Sequence, residues 1–181
     1  MKNCMVKGLL LASLITFSFM MNHALAQDLQ VYKHPRQNIQ FEAPADWKEN
    51  PYHKDKGIYE IFDPDADIHV MLWYTTTEQD APRYLEKMAD MKGLVLEGKP
   101  VKIQIKNRDA WLYNAPGLVN KKSVQILLAV IPDGKSKEYP RENALHIIQI
   151  WCPKEQFTDN EQGMMLILNS IQITEQRVDF L

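Results

Sequence analysis

Apolar and polar residues alternate in short runs along most of this chain, and two stretches replace that rhythm with three- and four-residue steps. "NIQFEAP" (Asn38–Pro44) puts Ile39, Phe41 and Ala43 on one side of an extended backbone, as a half-buried strand requires. "GIYEIFDP" (Gly57–Pro64) and "DIHVMLWYT" (Asp67–Thr75), joined by the acidic turn "DPDAD", predict a hairpin. "PVKIQIK" (Pro100–Lys106) and "DAWLYNA" (Asp109–Ala115) predict a second, turning at Asn107-Arg108. "KSVQILLAVI" (Lys122–Ile131) and "ALHIIQIWC" (Ala144–Cys152) predict a third, across the polar loop "PDGKSKEYPREN" (Pro132–Asn143). Two prolines and a glycine mark that loop as solvated.

The slower period belongs to helices. Between Asp80 and Lys92, Tyr84, Leu85, Met88 and Met91 share one stripe, and Gly93 is placed to end it. Near the C-terminus Phe157, Met164, Met165, Leu168 and Ile171 do the same, with Thr158 or Asp159 available as a cap and Gly163 as a weak point. A methionine pair at this spacing reads as core packing ahead of a ligand groove.

In "VQILLAVI", Val124, Ile126, Leu128 and Val130 face one way and Leu127, Ala129 and Ile131 the other. Both faces are apolar, whereas a sheet with one wet face would alternate cleanly. "ALHIIQIWC" repeats the pattern, with Ile148 and Ile150 opposite Ile147 and Trp151. The centre of the sheet is therefore covered on both sides, by the two helices and the N-terminal segment. The fold class is α+β: a sandwich around an antiparallel sheet.

The N-terminus changes what counts as the folded protein. Lys2 and Lys7 precede an apolar run from Leu9 to Met21, and Ala24-Leu25-Ala26 offers small residues at a cleavage point. That is the layout of a secretory signal peptide (residues 1–26), and the run is shorter than the roughly 20 residues of a membrane span. Cleavage after Ala26 leaves Gln27–Leu181 as one domain with no membrane span, periplasmic or secreted. Of the 21 basic and 23 acidic residues, only Lys2 and Lys7 leave, so the remainder is formally −4. The lysines alternate with acids and form no basic run, which excludes a nucleic-acid partner. Cys152 is then the single thiol, so stability comes from packing and not from an internal disulfide.

A strand that ends in proline, turns, and delivers a tryptophan three residues on (Phe41, Pro44, Trp47) resembles the opening of the PsbP-like and DcrB-like family. The hairpin ending in "FDP", the helix "YLEKMADMKG" and the close "ILNSIQI" extend the resemblance from about Ile39 to Ile173. It implies an α/β/α sandwich and exported or adaptor proteins that dock without a shared catalytic set. Trp47 is then a corner residue closing one end of the sheet, or a ring on which a ligand stacks.

Candidate chemistry is sparse. His34, His53, His69 and His146 have no metal-pair spacing. His146 and Cys152 share strand parity but lie about 20 Å apart on one strand, too far to touch. Asp63, Asp65 and Asp67 open like a calcium loop, yet Ile68 and Tyr74 occupy the positions of its glycine and glutamate, leaving a solvated turn or a weak cation site. No nucleotide-binding or nucleophile-elbow motif appears, and no cofactor is implied. Two functions remain: a binding or accessory module that docks a protein or another ligand or component of the envelope, or an envelope hydrolase or small-ligand-binding enzyme whose site only the fold assembles, drawing on His69, His146, Asp67 or Tyr74. For docking, the surplus length of Pro132–Asn143 singles out Tyr139, Lys137 and Arg141, unless the loop is a tolerated insertion.

Overall fold

The computed structural model describes residues 28–51, 57–91, 94 and 99–174. The predicted signal segment and Gly93 lie outside them. Among the described residues ten strands and two α-helices follow one another: β1 (Leu29–Lys33), β2 (Ile39–Pro44), β3 (Lys48–Glu49), β4 (Tyr59–Asp63), β5 (Ile68–Thr77), α1 (Ala81–Met91), β6 (Val101–Ile105), β7 (Arg108–Val119), β8 (Lys122–Lys135), β9 (Asn143–Pro153), α2 (Phe157–Ser170) and β10 (Gln172–Ile173).

The strands whose two faces both read apolar sit where that pattern demands, in the interior of a seven-stranded antiparallel sheet ordered β3-β4-β5-β9-β8-β7-β6. The three predicted hairpins form three of its ladders: Ile61 pairs with Val70, Ile103 with Ala110 and Leu128 with Gln149. One face carries Leu128, Val130 and Ile147 beneath Leu85 and Met88 of α1. The other carries Leu127, Ile148 and Ile150 against Phe41 of β2 and Leu168 of α2. Each such fully buried side chain contributes about 1.5–3 kcal/mol.

α1 starts where Asp80 accepts the otherwise orphaned N–H of Arg83 on its side chain (3.0 Å), while its carbonyl takes the N–H of Tyr84 (2.9 Å) as the first bond of the helix. Past its end Leu94 settles directly on β7 at Gly117, where a Cβ would lie 2.6 Å from the Leu94 side chain. A side chain at position 117 would make the ends of Leu94 and Ile126 move aside.

Two expectations need correction. The N-terminal cover is itself a sheet: β1 and β2 pair antiparallel, and β10 joins the other side of β2, giving the order β1-β2-β10. A two-residue strand whose Gln172 pairs with Gln40, 132 residues upstream, has no periodicity to read. At α2, Thr158 and Asp159 lie inside the helix, Gln156 holds the N-cap position without a side-chain bond, and a 3₁₀ turn at Lys154–Gln156 leads in. Gly163 is accommodated on an open face of that helix, with no atom within 4 Å of a Cβ placed there.

Candidate functional site

The aromatic residue that opened the family resemblance is part of the core. Trp47 is 8% exposed and packs with Phe41, Ala43 and Tyr59 in the layer between the two sheets. Pro44 ends β2, and the N–H of Trp47 returns to the Pro44 carbonyl at 3.3 Å. The Tyr32 hydroxyl donates into this turn, 2.8 Å from the Pro44 carbonyl and 3.2 Å from that of Trp47. Burial, with Asp46 and Glu49 nearby, pushes the Tyr32 phenol above its ordinary range, so it remains a donor.

The four residues nominated for a hydrolase separate into two pairs on opposite faces of the large sheet. His69 stacks on Trp151 of β9 at 3.9 Å and 7°, and on Phe62 of β4 at 5.4 Å. Its Nδ1 faces the buried Glu60 at 2.7 Å and its Nε2 faces Asp67 at 3.2 Å. Burial alone would raise the Asp67 carboxyl; hydrogen bonds from His69 and Lys122 outweigh it and hold it below the usual carboxylate range. Both ring nitrogens and both ring faces of His69 are thus spent on neighbours.

His146 lies fully buried on the other face, edge-on to Tyr74 at 5.4 Å, with Nε2 3.3 Å from Asp133, which Arg108 also holds at 3.1 Å. Its Nδ1 is buried without a partner. Here too burial would raise Asp133, and the His146 and Arg108 contacts keep it low. His34 is buried nearby: desolvation takes it down to about 4 against the opposing hydrogen bond to the Gly57 carbonyl, with His146 a further lowering influence. Cys152 has the same face of β9 as His146, and burial, with Glu155 second, raises its thiol to about 11. A thiol that stays protonated at neutral pH is no nucleophile.

The acidic turn closes on itself. Asp63 accepts the N–H groups of Asp65 and Ala66 at 2.8 and 3.3 Å, while Asp67, at φ +52°, turns to His69 and Lys122. Among the described residues no group of three His, Cys, Asp or Glu side chains is arranged to hold a metal.

The concave surface lies elsewhere. A groove of about 410 Å³ runs between the start of α1 and the far ends of β8 and β9, walled by Ala81, Pro82, Trp111, Pro132 and Leu145. Asp80, Lys135 and Asn143 border it, and Lys102 lies over the Trp111 ring at 5.7 Å. Asn143 Nδ2 donates to the Gln79 carbonyl at 2.8 Å, which ties the β5–α1 connection to β9.

Beside the groove the predicted loop is shorter and more ordered than its composition suggests. β8 continues to Lys135, which pairs with Asn143 across a bulge, so the connection is Ser136–Glu142. Ser136 is buried, donates its N–H to the Glu142 carbonyl at 2.9 Å and accepts the N–H of Tyr139 on Oγ at 3.0 Å. The Lys135 ammonium reaches the Arg141 carbonyl at 3.4 Å. Lys137, Tyr139 and Arg141 are all exposed, Tyr139 by half. The groove and this loop adjoin; Trp47 is in neither. No sequence signal marked Trp111 and the α1 N-terminus as walls, because they meet only through the sheet.

No family model matches the chain, and no curated protein does either. Solved structures do. Cyanobacterial PsbP (CyanoP) of Synechocystis sp. PCC 6803 superposes with a TM-score of 0.57 at 10% identity, over 82% of this chain and 94% of that one. LpqN, described as involved in cell envelope biogenesis of Mycobacterium tuberculosis, gives 0.56 at 13% over 82% and 92%. A protein of Bacteroides thetaiotaomicron VPI-5482 gives 0.55 at 12%, over 81% of this chain and only 49% of that one, so this chain spans about half its length. At these identities the likeness is one of fold.

Proposed function

We propose that this chain, which has a PsbP-like fold, is a non-catalytic docking module of the cell envelope, exported by its N-terminal segment, that holds a protein partner at the α1–β8–β9 groove. One observation carries the reading. A groove of about 410 Å³ is walled by apolar side chains and flanked by an ordered loop that presents Tyr139 between Lys137 and Arg141. Partly exposed aromatic rings next to a desolvated pocket are the material of interface anchors. The envelope setting draws support from the signal-like N-terminus and from the envelope role stated for LpqN. Among the described residues no helix is long and apolar enough to cross a membrane.

A hydrolase reading lacks comparable support. His69 and Asp67 are committed to a stack and a mutual hydrogen bond, His146 and Tyr74 lie on the opposite face, and neither pair lines the groove.

Photo-crosslinkers placed at positions 111 and 139 test the docking reading, with position 166 on the exposed side of α2 as the control. Crosslinks to one protein from 111 and 139 but not 166 are expected. Equal labelling at 166, or none at 111 and 139, overturns it. Replacing Ser136–Glu142 by Asn-Gly, a turn that suits a two-residue hairpin, should leave the melting temperature unchanged and abolish that crosslink from 111.

A further inference from the structure

The small sheet ends in an edge, the outer side of β1, that no described residue pairs with. Ala45 donates to the Asp28 carbonyl at 2.9 Å and His34 to that of Ile39 at 3.0 Å, so both pairs are hydrogen-bonded positions of the β1–β2 ladder. Alternation then directs the N–H and C=O groups of residues 28, 30, 32 and 34 towards β2, and those of Leu29, Val31 and Lys33 outward. The same three residues have exposed side chains: Leu29 is 64% exposed and Val31 46%. Six aligned backbone groups with two exposed aliphatic side chains are a template for another strand.

The other sheet ends are guarded. β3 and β10 are two residues long. β6 is five, but it carries Lys102 and is followed by Lys106. Lysine on an edge strand discourages pairing, and β1 docking on β6 of a second copy would bring Lys33 towards those like charges. It would also propagate head to tail without closing.

We infer that β1 is a dimerisation edge whose occupant is β1 of a second copy of this chain, antiparallel about a two-fold axis at Val31. This register uses all six outward groups, sets Val31 beside Val31 of the partner subunit, and sets Leu29 beside Lys33 of the partner subunit. No like charges meet, and the two three-stranded sheets become one of six. One five-residue ladder falls short of the roughly 1,200 Å² that stable interfaces bury, so the dimer is weak and forms on concentration.

Sedimentation velocity over a wide concentration range, on the protein as cells process it, tests the register. The wild-type chain should move from monomer towards dimer as concentration rises. Val31→Lys, at an exposed site, places two lysines face to face and should stay monomeric at every concentration with an unchanged melting temperature. Leu29→Glu should tighten the dimer about threefold or more, because each new carboxylate faces Lys33 of the partner subunit, and high salt should erase the gain. A monomeric wild type at the highest concentration, or a dimer that Leu29→Glu weakens as it would any greasy patch, overturns the inference.

Discussion

Two chain reversals, each displaying one large aromatic, take opposite sides of the surface. At Pro44–Trp47 the indole is 8% exposed and the Tyr32 hydroxyl holds the turn from within. At Ser136–Glu142 the serine is the buried element and Tyr139 stands half in solvent. The first reversal is stabilised by what its aromatic residue covers; the second is stabilised chiefly by backbone and serine hydroxyl bonds, while the Tyr139 phenol bonds the adjacent Glu138 at the surface. An aromatic side chain that its own turn does not need is available to something else. The difference between scaffold and contact residue is therefore a matter of which group each turn rests on.

That contrast can be broken at either end. Trp47→Ala should cost about 3–5 kcal/mol in chemical denaturation, the loss expected for emptying a buried aromatic site. A cost below about 1 kcal/mol, within the range of surface substitutions, together with lost crosslinking at the groove would make Trp47 a contact residue. His34 sharpens the picture from the same core-lined end. Its folded value of about 4 lies below the ordinary 6.5, so the unfolded chain takes up the proton first. Stability should then fall by about 2–3 kcal/mol as pH drops from neutral towards 4, and level off below it. His34→Gln should flatten denaturation midpoints over that window, and an unaltered slope would mean that the group charges freely in the fold. Tyr139→Ala should change stability by less than about 0.5 kcal/mol while weakening partner capture. A larger stability loss would place the ring in the scaffold after all.

The central layer was legible because β8 and β9 bury both faces, and only an enclosed strand can afford apolar residues at every position. The three hairpins and α1 followed from period and turn chemistry, with α1 observed at Ala81–Met91 against an expected Asp80–Lys92. β1 stayed hidden because its exposed Leu29 and Val31 break the burial code: an edge strand answers to its ladder partner and not to a core. The loop's surplus length could be read, but its ordering by Ser136 could not, since a buried serine and an exposed one look alike in a sequence. The groove was beyond reach for a different reason. Its walls come from α1, β7, β8 and β9, and nothing local in Trp111 or Pro82 signals that they face a common space.

The order β1-β2-β10 also sets a clock. β2 finds its first neighbour within a few residues, yet its second arrives with Gln172 and Ile173, and the Ser170 hydroxyl that receives the Glu42 N–H at 2.9 Å arrives with them. Loop closure over such a separation is among the slow events of folding, and it cannot begin before Gln172 and Ile173 have been made. A ribosome-bound or partly threaded chain therefore holds an incomplete small sheet, with the apolar side of β2 still waiting for α2. Residues 170–173 act as the latch, and a truncation ahead of them should trap a collapsed but unlatched species long before it alters anything in the seven-stranded sheet.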